Sequence, residues 1–231
     1  MKRIISLALV AVMLTLMLAS CFGEGEPKNP IYVTIVTGDG TLAVAHKALA
    51  LSDADGDGKL TVNDALYLAH ERAYTGGAAA GYASELGQYG ISLTRLWGVS
   101  NGGAYGYYVN NASATSLADE VKAEDHVVAF IYQDTVTWSD TYAYFDAPAK
   151  SAEKGKSVTL TLSATAYDES WNPVTVGLSN ALITVNGEAT SYTTDASGSV
   201  TMTFDRSGTY TVSATSPEHT LVSPVCIIRV K

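Results

Sequence analysis

The sequence predicts an α+β domain followed by an all-β sandwich, and three observations carry that expectation. Residues 31 to 146 mix β-branched runs with one stretch of helical periodicity, in which Val62, Ala65, Leu66, Ala69 and Ala73 fall on a common face. From residue 147 that periodicity gives way to Ser/Thr/Val alternation, the pattern of half-buried strands. Turn-forming Gly, Asp and Ser punctuate both halves. With 231 residues the chain is long enough to bury two such cores.

The N-terminus stands apart from both. Lys2 and Arg3 precede an apolar run from Ile4 to Leu16 broken only by Ser6 and Thr15, and the segment closes on Leu18-Ala-Ser-Cys21. This pattern resembles a bacterial lipoprotein signal peptide covering residues 1–20. The resemblance implies cleavage before Cys21, lipid on its sulfur, and an extracytoplasmic chain anchored to the bacterial cell membrane. A transmembrane anchor fits less well, because the run is short beside the roughly 20 residues a spanning helix needs. Residues 21–30 are polar and rich in Gly and Pro, and read as a tether. Loss of Lys2 and Arg3 leaves 12 basic against 23 acidic side chains, which argues against nucleic acid as a partner. Lipidation of Cys21 leaves Cys226 alone, so no disulfide framework is available.

Ile31 to Val36 is rich in β-branched residues and runs into the Gly38-Asp-Gly40 turn. The Ala-rich segment Leu42 to Leu51 follows. Propensity alone allows a helix there, but the preceding strand and turn favour a returning strand. A helix is expected from Thr61 to Tyr74, stopped at Gly76-Gly77, with His70 and Glu71 on its solvated face. Strands follow at Ile91–Leu96, Ala104–Asn110 and His126–Gln133, and the aromatic segment Thr135–Phe145 is expected to close the same sheet. In the second half, Val158, Leu160, Leu162 and Ala164 point one way, as do Val200, Met202 and Phe204, then Tyr210, Val212 and Ala214, then Cys226, Ile228 and Val230. Turns at Asp195–Gly198 and Arg206–Gly208 separate short strands, which makes a sandwich the natural outcome.

Two of these regions resemble known families. Tyr105-Gly-Tyr-Tyr-Val-Asn-Asn111, together with Ser116-Leu-Ala-Asp-Glu-Val-Lys-Ala-Glu-Asp-His126 leading into the last strand, resembles the transcobalamin-like C-terminal domain family over residues 31–146. That resemblance implies a β-grasp-like fold. It also implies a ligand surface around the turn at Ser100–Gly103 and the strand from Tyr105, where Asn101, Tyr105, Tyr107, Tyr108 and Asn110 are candidate contacts, and a corrinoid as one candidate ligand. The chain departs from the family by an acidic loop before the helix and by Asn110-Asn111 where the family often has Asn-Gly. Thr194-Asp-Ala-Ser-Gly-Ser-Val-Thr-Met-Thr-Phe204 and Gly208-Thr-Tyr-Thr-Val-Ser-Ala214 resemble bacterial immunoglobulin-like domains over residues 147–231, with Tyr210 as a corner tyrosine and Cys226 a buried, inert thiol.

The acidic loop is the strongest chemical signal. A calcium loop of twelve residues needs oxygen ligands at alternating places, a Gly at the sharp turn and a carboxylate at the last place. Asp53, Asp55 and Asp57 supply the first three, Gly58 the turn, Lys59 a backbone carbonyl, Thr61 a hydroxyl or bound water, and Asp64 the closing carboxylate. The stretch resembles EF-hand loops, in particular the dockerin-type version closed by Asp. The alternative is a charged turn held by Asx-type hydrogen bonds without an ion. Four carboxylates within twelve residues repel one another, which favours a cation.

Enzymatic signals are thin. His70-Glu71 resembles the start of a zinc-protease motif, but Tyr74 stands where the second His is required. His46, His126 and His219 are far apart in sequence, and no Ser or Cys sits in a nucleophile context. The expectation is therefore a non-enzymatic, calcium-binding surface lipoprotein that binds or adheres to an extracellular protein, glycan or corrinoid. Corrinoid capture and an extracellular hydrolase are the alternatives.

Overall fold

The computed structural model describes residues 27–170 and 172–231. The expected signal peptide, Cys21 and residues 21–26 of the tether lie outside the described residues. The chain is mostly β, with few helices and several sheets.

Strands β1 (Pro30–Val36) and β2 (Leu42–Ala50) form an antiparallel hairpin. The Ala-rich run is thus a strand, its pairing along β1 outweighing the helix propensity of Ala. Helix α1 (Val62–Ala73) follows the acidic loop. It ends near the expected stop, yet Gly77 opens a second short helix, α2 (Gly77–Gly81), rather than ending helical structure. A hairpin of β3 (Ala83–Gly87) and β4 (Gly90–Arg95) comes next. The expectation had no strand at β3, because its residues are half-exposed to exposed and carry no apolar alternation. Strands β5 (Tyr105–Val109), β6 (Ala112–Ser113) and β7 (His126–Ile131) complete a five-stranded sheet in the order β2-β1-β7-β5-β6, with β7 parallel to β1. The α1 residues Val62, Ala65, Leu66 and Ala69 pack with Ile31, Val33 and Ile35 of β1 and Val127, Ala129 and Ile131 of β7. Gly106 is required in β5 because the Phe130 ring occupies the space a Cβ would take.

The second unit begins earlier than residue 147. Strand β8 (Thr141–Phe145) does not close the first sheet; it pairs antiparallel with β10 (Ser157–Tyr167). Its alternate residues Ala143 and Phe145 fit the sandwich core, a destination that the aromatic count of the segment could not reveal. Strands β9 (Ala149–Ala152), β11 (Pro173–Gly177), β12 (Leu182–Val185), β13 (Glu188–Thr193), β14 (Ser199–Thr203), β15 (Gly208–Thr215), β16 (Leu221–Val222) and β17 (Cys226–Val230) follow. One sheet runs β11-β10-β8-β16 with β14 also on β10, and the other runs β13-β12-β15-β17-β9. Between them lie Leu160, Leu162, Val200 and Met202 facing Ile183, Val212, Ala214, Cys226 and Ile228. Burial pushes the Cys226 thiol up to about 12 and leaves it unreactive. In the turn after Asp195, Gly198 has φ +80°, and a Cβ there would strike the Leu162 carbonyl.

The two units share a third small core of Val36, Val128, Phe130, Tyr142 and Val222. Tyr142 stacks on Tyr108 with ring centroids 3.7 Å apart, and its hydroxyl donates to Asn111 Oδ1 at 3.0 Å. Gln133 Nε2 donates to the Leu221 carbonyl at 3.0 Å, and the Ser223 hydroxyl donates to that of Gly40. Nearby, Ala45 and His46 together oppose Thr34, a β-bulge in which His46 adopts φ +44°. The His46 N–H donates to Thr34 Oγ1 at 3.0 Å, and that hydroxyl bonds His126 Nε2 at 2.9 Å. The His46 ring stacks on Tyr32 and meets the His126 ring edge-on at 4.7 Å, and its Nδ1 is buried without a hydrogen-bond partner. Two histidines remote in sequence are therefore neighbours.

Burial holds His46 down to about 4, with Arg229 adding to the effect, and His126 down to about 3. Both folded values lie below the unfolded value of about 6.5, so the unfolded chain takes up protons that the folded chain refuses. Stability is accordingly expected to fall as pH drops from about 6.5 toward 4, measured by thermal unfolding with a chelator present. His46→Phe keeps the stacked ring and removes the unpartnered nitrogen. It is expected to flatten that slope without lowering Tm at pH 7; an unchanged slope would refute the assignment.

Candidate metal centre

Between β2 and α1 the backbone coils so that Asp53, Asp55 and Asp57 each present a carboxylate oxygen within 4.8 Å of the others, all three side chains exposed. Asx-type bonds shape the coil. Asp53 accepts from Gly56 N at 2.7 Å and Gly58 N at 2.9 Å, Asp55 from Asp57 N at 3.3 Å, and Asp57 from Lys59 N at 2.8 Å. Gly56 and Gly58 have φ of +77° and +84°, which a side chain would strain. The Gly58 N–H, first among the backbone donors, holds the Asp53 carboxyl below its ordinary value. The cluster can hold a metal ion: three hard oxygen donors converge, and solvent reaches them.

The closing half of the expected ligand set is differently engaged. Asp64 is fully buried, accepting from Ala54 N at 2.7 Å through one oxygen and from Thr61 N at 2.9 Å and Thr61 Oγ1 at 2.8 Å through the other. Thr61 in turn accepts from Asp64 N, so the two residues form a capping box at the start of α1. Asp64 and Thr61 thus place these oxygens in the helix cap, and the clustered carboxylates are those of Asp53, Asp55 and Asp57. The Lys59 ammonium pairs with Glu120 at 3.0 Å.

Asn63 is the residue that sequence reasoning passed over. It is buried, its Nδ2 donates to Asp55 Oδ2 at 2.9 Å, and its Oδ1 accepts from Tyr82 at 2.7 Å and Ser84 at 2.9 Å. It lies off the apolar stripe of α1, so apolar spacing carried no sign of its burial. It ties the acidic loop to β3.

The remaining candidates separate cleanly. His70 does not lie on a solvated face: it is fully buried, with Nδ1 donating to the Leu66 carbonyl at 2.7 Å and Nε2 accepting from Trp97 N at 3.0 Å. It packs in a gap among Tyr74, Tyr82 and Trp97, which helical spacing alone does not show. Burial lowers its pKa. Among the expected ligand-surface residues, Asn101 closes its own turn through Ala104, and Asn110 bridges Asp125 and the His126 N–H. The Tyr105 hydroxyl lies 2.8 Å from the Val99 carbonyl and accepts from Asn101 N at 3.2 Å, and Tyr108 is stacked at the junction with the sandwich. Two of the five, the buried Tyr105 and the half-buried Tyr107, line a cleft of about 450 Å³ between the β3–β4 hairpin and β5. Glu85, Ser92, Thr94, Gly102 and Gly103 also line it.

No protein family matches the chain, and no curated protein does. Similar solved structures are immunoglobulin-domain fragments of four or eight domains. The N-terminal four Ig domains of Dscam1 isoform 4.44 align at 10% identity over 55% of this chain and 37% of that one, with a TM-score of 0.26. Those of isoform 7.44 align at 11% identity over 87% and 44%, again with 0.26, and those of isoform 8.4 at 12% identity over 92% and 45%, with 0.24. The chain thus spans less than half the length of these structures, and the similarity to immunoglobulin-domain proteins is distant.

Removing the Asn63 side chain strands the Tyr82 hydroxyl in the core and releases β3 from the loop. Asn63→Ala is expected to cost about 1–3 kcal/mol in urea denaturation. Thr61→Ala is expected to cost about 1 kcal/mol through the lost cap. Equal stability of Asn63→Ala and the parent would show that the link has no energetic weight.

Proposed function

We propose that the protein is a non-enzymatic, calcium-binding lipoprotein of the bacterial cell surface, anchored through Cys21, in which a ligand-binding domain is carried beside an immunoglobulin-like sandwich. The convergence of Asp53, Asp55 and Asp57 within 4.8 Å carries the reading. Calcium suits hard, exposed oxygen donors, and Asp53, Asp55, Asp57 and the Lys59 carbonyl would hold it, with water filling the remaining places. With Asp64 committed to the helix cap, such a site suits the higher calcium concentrations outside cells. Its role is a staple: the loop shares the Asp55–Asn63 bond and the Ala54–Asp64 bond with α1, so ordering the loop orders the start of the helix.

Topology supports the domain assignments. A hairpin, a helix packed on the sheet, and a later strand running parallel to the first between β1 and β5 is the arrangement of a β-grasp-like domain, in line with the transcobalamin-like resemblance. In the sandwich, β9 running parallel to the last strand, and a Tyr210 hydroxyl that donates to the Arg206 carbonyl at 2.8 Å, accord with an immunoglobulin-like domain and its corner tyrosine. A binding role accords with His70 spending both ring nitrogens on backbone bonds.

Calorimetric titration of the whole protein with calcium tests the reading. Binding heat is expected at millimolar calcium or below, with a rise in Tm of a few degrees, because a ligand that binds only the folded state stabilises it by mass action. Asp53→Ala combined with Asp57→Ala should abolish both. Absence of heat, with a Tm indifferent to calcium, would sink the assignment.

A further inference from the structure

We propose that the cleft between the β3–β4 hairpin and β5 is a saccharide-binding site. The inference rests on the reading of the protein as a ligand-binding module and is independent of its calcium. At about 450 Å³ the cleft falls in the size range of small-ligand sites and suits a mono- or disaccharide.

Its lining sets the ligand chemistry. The Tyr107 ring is half-buried, an amphipathic surface on which the apolar face of a pyranose can lie. Ser92 and Thr94 bring hydroxyls from β4, and Glu85 brings an exposed carboxylate from β3, directly across from Ser92. No ion pair to Glu85 is present among the described residues. A carboxylate is acceptor-only and takes two hydrogen bonds from neighbouring hydroxyls, which a sugar supplies. An anionic ligand would meet Glu85 and a chain of net charge −9, and an apolar one would cover the Glu85 carboxylate without offering it a partner, whereas the Ser92 hydroxyl already faces that of Tyr107. Gly102 and Gly103 present bare backbone with open space where a Cβ would point, so a ligand can approach their peptide groups.

The walls are preformed. The Tyr105 hydroxyl, 2.8 Å from the Val99 carbonyl and 3.2 Å from that of Thr94, ties β5 to β4 and to the turn that follows it. Ser84, next to Glu85, is held by Asn63. A site whose groups are already fixed loses little entropy on binding.

The test is calorimetric titration of the whole protein with lactose, cellobiose, maltose and diacetylchitobiose, and with the tripeptide alanyl-lysyl-alanine as a cationic comparison. At least one disaccharide is expected to bind with a millimolar or tighter Kd. Glu85→Gln should weaken it by about tenfold, and Ser92→Trp, which fills the cleft from an exposed position, should abolish it, both at unchanged Tm. Binding by none of the disaccharides, binding that survives both substitutions, or binding of the tripeptide alone would overturn the proposal. A positive calcium titration beside a negative saccharide series would leave the calcium reading standing and remove only this one.

Discussion

The structure depends on one pair of strands, β1 and β7, which run parallel at the centre of the first sheet and are covered on both faces. Their inner residues, Ile31, Val33, Ile35, Val127, Ala129 and Ile131, meet α1, while Val36, Val128 and Phe130 meet Tyr142 and Val222 from the sandwich. Even the polar residues of the outer face, Thr34 and His126, are buried and bonded to each other, so both sides of the pair need cover. Helix and sandwich therefore act as two halves of one enclosure. The acidic loop, which sets where α1 starts, and the 132–140 connection, which brings in β8, both serve to complete it.

Within that enclosure the loop's carboxylates fall into two groups. The first turn of α1 has backbone N–H groups in need of acceptors, and an ion shell needs carboxylates. The chain divides the work. Asp64 and Thr61 are turned inward to cap the helix, and Asp53, Asp55 and Asp57 remain outside with their oxygens toward solvent. Asn63 joins the two sets and passes their geometry on to Tyr82 and Ser84.

Periodicity made much of this legible. The face of α1 and the alternating core residues of β10, β14, β15 and β17 follow from apolar spacing, because burial on one side leaves a regular trace, while the strand at Leu42–Ala50 follows from the strand and turn before it. Features that hang on long-range partners left none. Strand β8 is aromatic and half-buried wherever it pairs, so only its partner β10 identifies its sheet. His70 sits off the apolar stripe of its own helix and is buried by Trp97 and Tyr82, which arrive from later elements. The meeting of His46 with His126 needs both the bulge in the β1–β2 hairpin and the long-range pairing of β1 with β7. The acidic triad was legible because its three carboxylates are close in sequence. The helix cap made by Asp64 was not, because a closing carboxylate and a third-residue cap occupy the same position in sequence.

The placement of β1 has a mechanical consequence. Chain from the N-terminal side enters at the start of β1, and the path onward to the sandwich leaves at the end of its parallel neighbour β7. Tension along the chain would therefore pull these two strands past each other, loading the ladder from Tyr32–His126 to Val36–Phe130 in shear, with all its bonds resisting together. An antiparallel exit would have let the same force open the ladder one bond at a time. The fold thus meets tension along the chain in its stiffer direction.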